Sequence, residues 1–192
     1  MSESLNAADN PDKPSLTDVV RVGDIDLEQL QQLLHPYDLS IECVEADQEI
    51  PGSFWGDEEA GLIGKNLYAR PDTPIHSVLH EACHYICMDD KRRKGLNTNA
   101  GGDYDEENGV CYLQILLADL LPPLNKSRLM ADMDSWGYSF RLGTTQKWFE
   151  QDAEDARNWL IKYGIISGTG KPTWKLSSVK LSPPANSDER ST

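Results

Sequence analysis

Two histidines four residues apart, with a glutamate beside the first, lie in the middle of an apolar stretch: His80, Glu81 and His84 of the run "HEACHYICMDD". On an α-helix, positions i and i+4 share a face, so both imidazoles can meet one metal ion at roughly 2.0–2.1 Å. Glu81 is then placed to reach water on the metal without being a ligand, the division of labour found in HExxH metallopeptidases. The arrangement demands a helix here and a second element packed closely enough to bring a further donor. Ile75, Val78 and Leu79 make the preceding turn apolar, and Thr73-Pro74 reads as an N-cap followed by proline at the first helical position. A helix is therefore predicted from there to about Met88, with the small Cys87 letting another element approach. The ordinary alternative is a pair of hydrogen-bonded core histidines. The three residue types together in this apolar helical context favour the metal. His76, a full turn before His80, is expected beside the ligands or at the surface rather than on the metal.

A catalytic zinc takes a third protein ligand and keeps one position open. The next predicted helix, about Asp105 to Leu121, supplies two candidates in its first turn, Glu106 and Glu107. Glu106 falls at the centre of the apolar face with Val110, Leu113 and Leu117, where a carboxylate is costly unless paired or on a metal. Glu107 falls on a smaller, more polar stripe with Cys111, Gln114 and Ala118, also suited to close packing. The face argument leans slightly to Glu106 and does not separate the two. Whichever is not the ligand is accounted for as an acidic residue at a helix N-terminus.

Elsewhere the pattern predicts an α+β fold with one domain over 18–166. Residues 1–17 read as a flexible arm and 167–192 as a mostly disordered tail. "DLEQLQQLL" is an amphipathic helix with Asp26 as N-cap and Pro36 as its end. Residues 39–46 alternate as a strand with Ile41 and Cys43 inward, and 62–70 reads as a second strand. Residues 125–137 are helical with Gly137 as stop, and 145–164 form one amphipathic helix ending at Gly164. The cluster Lys91-Arg92-Arg93-Lys94 reads as a solvated helix end. With a net charge of −14 over 192 residues, the chain lacks the basic footprint of a nucleic-acid binder. No apolar run is long enough to span a membrane, no secretory signal is legible at the N-terminus, and four cysteines are expected as free thiols in a cytoplasmic protein.

The run "NLYAR", a short break, a helix ending "HYIC" and then "EENGVCYLQILLADLLP" resembles the ImmA/IrrE-like group of gluzincin zinc metallopeptidases, over about residues 60–122. The resemblance implies a minimal zincin-like domain, a small sheet packed on the HExxH helix and further helices. It also implies one Zn²⁺ per chain on His80, His84 and one of Glu106 or Glu107, with Glu81 as general base and a peptide or protein as substrate. Tyr104, Tyr85 and His76 are the nearby candidates for stabilising an oxyanion. The strand at 62–70 is a candidate for edge pairing with an extended peptide. Two other readings compete: a regulatory protein whose zinc is structural or vestigial, and a metal-free helical interaction domain. Glu81 favours the enzyme, because a purely structural site has no need of that carboxylate.

Overall fold

The computed structural model describes residues 19–177. Among these, seven α-helices and one three-stranded sheet give an α+β architecture. The helices are α1 (Leu27–Leu34), α2 (Ile75–Cys87), α3 (Asp90–Lys94), α4 (Tyr104–Ala118), α5 (Lys126–Trp136), α6 (Thr145–Gln151) and α7 (Glu154–Lys162). The strands are β1 (Ser40–Cys43), β2 (Gly61–Ile63) and β3 (Asn66–Ala69). The sheet order is β1-β3-β2, with β1 parallel and β2 antiparallel to β3. No described helix is long and apolar enough to cross a membrane.

The single strand expected over 62–70 is a hairpin. Gly64, at φ +58, turns the chain between β2 and β3, a conformation glycine adopts without the steric cost of a side chain. This hairpin makes β3 the central strand. The outer edge of β2 is already bridged by Ser53 and Asn97, and Thr98 donates its N–H to the Leu62 carbonyl at 3.0 Å. The edge pairing expected for this segment is therefore closed off by the chain itself. In β1, Ile41 is half-buried but Cys43 is exposed, against the inward position expected for it.

Helix ends follow the local chemistry with three corrections. Asp26 caps α1 by accepting from Glu28 N–H, but Pro36 does not stop the chain at once: a 3₁₀ turn carries it through Tyr37. Thr73 does not cap α2. Its hydroxyl accepts from Arg70 N–H, and Pro74 is the capping position, lacking the N–H a cap would have to satisfy. The helix expected over 145–164 breaks at Asp152-Ala153 into α6 and α7. At the break, Asp152 forms a salt bridge with the exposed Arg141.

The core lies between the sheet, α2 and α4. Val78, Leu79, Ala82, Cys83 and Ile86 of α2 are fully buried, as are Val110, Leu113 and Leu117 of α4. On the far side of α4, Gly109 meets α7 so tightly that a Cβ there would stand 2.9 Å from the Trp159 ring. Residues 167–177 of the expected tail are hydrogen-bonded onto this body. Thr173 N–H donates to Ile165, and Ser177 N–H to the Ile86 carbonyl of α2, both at 2.9 Å. The whole expected arm, 1–17, residue 18 of the expected domain, and 178–192 of the expected tail lie outside the described residues.

Candidate metal centre

Helix α2 presents His80 and His84 toward the first turn of α4. The two Nε2 atoms stand 3.1 Å apart. Each is 3.4 Å from an oxygen of Glu107, His80 from Oε1 and His84 from Oε2. All three residues offer a ligand atom within 4.8 Å of the others. Four tetrahedral bonds of 2.0–2.1 Å place neighbouring donors about 3.3 Å apart, so this triangle has the dimensions of three ligands on one ion. Its electrostatics point the same way. Burial holds the His80 imidazole down at about 4 and the His84 imidazole well below its ordinary value, so both are neutral near pH 7. Each neutral imidazole carries one N–H, so at most two of the three contacts can be hydrogen bonds. At least one contact sets like against like, which a cation shared by all three groups relieves. Glu107 is the half-exposed member, with 47 % of its side chain accessible against 16 % for His80 and 11 % for His84. The centre is therefore open to solvent on the carboxylate side.

The structure places Glu107, and not the slightly preferred Glu106, beside the histidines. Glu106 is buried, as its place on the apolar face predicts, and its carboxylate accepts from Arg92 Nη2 at 2.6 Å. The solvated helix end expected for Lys91–Lys94 is likewise corrected: these residues form the separate helix α3, and Arg92 lies inside an ion-pair network. His76 is not at the surface. It is fully buried with neither ring nitrogen hydrogen-bonded, against the rings of Trp136 and Tyr138 at 5.2 and 5.7 Å, and desolvation lowers it to about 3.

Glu81 stands beside the triad. It lines two clefts, of about 320 and 400 Å³, that both include His80, Glu107 and Trp55. Desolvation, then the nearby charges of Glu107 and Glu59, lift its carboxyl to about 8. A third cleft, of about 510 Å³, opens on the other side of Glu107 past Tyr104, Tyr138 and Trp148. Tyr138 borders the clefts on both sides of Glu107, and its ring lies 5.8 Å from that of His80. Of the expected oxyanion candidates, Tyr104 lines the third cleft and is exposed, while Tyr85 and His76 line none of these clefts. Sequence reasoning missed Tyr138 and Trp55, because both reach the site from segments remote in the chain. No local periodicity marks such residues. Comparisons of the chain with protein-family models, curated proteins and solved structures give no match.

Taken alone, the Glu81, His76 and His80 shifts predict a stability maximum near pH 6.5 for the metal-free protein. From about pH 4.5 to 8 the native chain keeps a proton on Glu81 that the unfolded chain has released, so this group lowers stability as pH rises, opposed by the two histidines below pH 6.5 and unopposed by them above it. The slope from this one group is at most about 1.4 kcal/mol per pH unit. Below pH 6.5 the unfolded chain takes up protons that native His76 and His80 refuse until about 3 and 4, so stability falls as pH drops. Urea melts in chelator across this range should show the maximum, and Glu81→Gln should remove most of the slope on its alkaline side. An unchanged alkaline slope in that variant would show that Glu81 is not the group titrating there.

Proposed function

We propose that this chain is a zinc-dependent peptidase in which His80, His84 and Glu107 hold the ion and Glu81 is the general base. The observation that carries the reading is the convergence of three neutral or anionic donors at ligand spacing, with a second carboxylate, Glu81, high in pKa, on the same clefts. A zinc ion held there polarises a carbonyl and lowers the pKa of coordinated water toward neutrality. The chain's own part is to hold two imidazoles unprotonated, leave one side of the centre open and supply a base. Glu81, protonated near pH 7 in the metal-free chain, gives up its proton more readily once a cation sits beside it, which fits it to accept one from the nucleophile and return it to the leaving amine. The clefts on both sides of Glu107 leave room for a segment of polypeptide as substrate. The resemblance read in the sequence over residues 60–122 to the ImmA/IrrE-like gluzincins implies the same ligands and the same base. The open carboxylate side favours catalysis over a structural ion, since structural zinc is closed by four protein ligands.

The test is metal content. The purified chain is expected to carry one zinc ion, and His80→Ala/His84→Ala none. Zinc at 100 times its dissociation constant should stabilise the wild type by about 2.7 kcal/mol and the double variant not at all. Stoichiometric zinc in the double variant would overturn the site.

A further inference from the structure

We propose that Arg92 is the positioning residue of the metal centre: by gripping Glu106 it sets the rotation of α4 and so turns Glu107 toward His80 and His84. The proposal rests on the metal-binding reading of those three residues, and not on peptidase activity. Arg92 spends its guanidinium on three separate segments. Nε donates to Asp89 Oδ2 at 2.9 Å, Nη1 to the Ala100 carbonyl at 3.2 Å, and Nη2 to Glu106 Oε2 at 2.6 Å. A planar fork with five donors can do this, whereas a lysine amine cannot span the three.

The anchor of this fork is rigid. Asp89 is buried, and its Oδ1 takes the N–H groups of Lys91 and Arg92, capping α3. The next arginine lashes α3 to the end of α2: Arg93 Nε donates to the Tyr85 carbonyl at 3.1 Å and Nη2 to that of Met88 at 2.5 Å. Met88 N–H in turn donates to the His84 carbonyl at 2.9 Å. The helix that carries the two imidazoles is thus tied to Arg92 through a short series of hydrogen bonds. On the other side of the fork, Glu106 and Glu107 are consecutive on α4 and point about 100° apart. Fixing one fixes the other. The loop between the helices is drawn onto the same point. Gly102 adopts φ +131, and a Cβ there would lie 3.0 Å from Glu106 Oε1, so the loop closes over the clamp only with glycine at this position.

Full-length wild type, Arg92→Lys and Arg92→Met/Glu106→Leu should be titrated with zinc against a chromophoric chelator and, separately, with Co²⁺ read by its visible absorption. The double variant removes the Arg92 and Glu106 charges together, so neither of these two is left buried alone, and Asp89, which loses its guanidinium, keeps Oδ1 on the N–H groups of Lys91 and Arg92. It is expected to melt close to the wild type when metal-free, yet to bind zinc at least 10-fold more weakly, within the 10–100-fold range of groups that orient ligands. Its Co²⁺ spectrum should shift, reporting a displaced carboxylate. Arg92→Lys, which keeps the charge but not the fork, should fall between. Wild-type affinity and an unshifted spectrum in both variants would overturn the proposal and leave the pair a structural one. A wild-type chain that binds neither ion overturns the metal reading together with it.

Discussion

Glu81→Gln is expected to leave the fold and the bound zinc in place and to cut peptide hydrolysis by at least about 100-fold, the cost of losing a general base. Glu81 is not within the ligand triad, so its removal subtracts no metal bond. The amide keeps the side chain's shape and its capacity to hydrogen-bond water, but it cannot take up a proton. The wild-type pH profile should carry a limb from Glu81, shifted below the value of about 8 that the metal-free surroundings impose, because a neighbouring cation favours the carboxylate. The measurement is cleavage of a peptide library, or of a whole-cell protein extract, by wild type and variant at matched zinc content. Cleavage by wild type that survives the substitution sinks the proposed mechanism. An absence of cleavage by wild type, with zinc bound, shifts the reading to a regulatory protein on the same fold.

The second large effect separates two neighbours. Glu107→Gln should weaken zinc binding by more than about 100-fold, beyond the usual cost of losing a group that merely orients a ligand, because a neutral amide replaces the only anionic donor of the triad. Glu106→Gln should weaken it only a few-fold, since the amide oxygen can still accept from Arg92 in place of Oε2. Equilibrium titration with zinc against a competing chelator gives both numbers. The reverse ranking would mean that α4 is rotated in the metal-bound protein relative to the arrangement described here.

The contrast between these neighbours shows what was legible in the chain. The spacing of His80 and His84 fixed the helix and the pair of imidazoles outright, because a period of 3.6 residues is a local property. The apolar stripe of α4 correctly buried Glu106. It could not say that an arginine, fourteen residues earlier and read as solvated, would meet that carboxylate. The cost of a buried charge is relieved equally by a guanidinium or by a metal, and sequence periodicity does not distinguish them. A weaker signal did point to Glu107: its stripe carries Cys111 and Gln114, both buried, and Cys111 Sγ lies 3.9 Å from Glu107 Oε1. The hairpin at Gly64 was missed although Gly64-Lys65-Asn66, between the apolar pairs Leu62-Ile63 and Leu67-Tyr68, carries a turn signal. The break between α6 and α7 was missed because Ala153 and Ala156 keep the apolar period across Asp152, which pairs with Arg141.

The three donors all fall between residues 80 and 107, within two helices and the connection that joins them. Protein contacts already close that connection: Arg92 ties it to Ala100 and Glu106, and Gly64 N–H donates to the Leu96 carbonyl at 3.0 Å. Loop-closure entropy grows slowly with length, about 0.6 kcal/mol per doubling, so bringing these two helices together costs the unfolded chain little. An ion arriving at such a site inherits a geometry assembled by neighbours in sequence and has almost no chain left to gather. Such an ion would add its binding energy to contacts that the chain already makes for itself, unlike the ions of small metal-dependent domains that are unfolded until the ion binds.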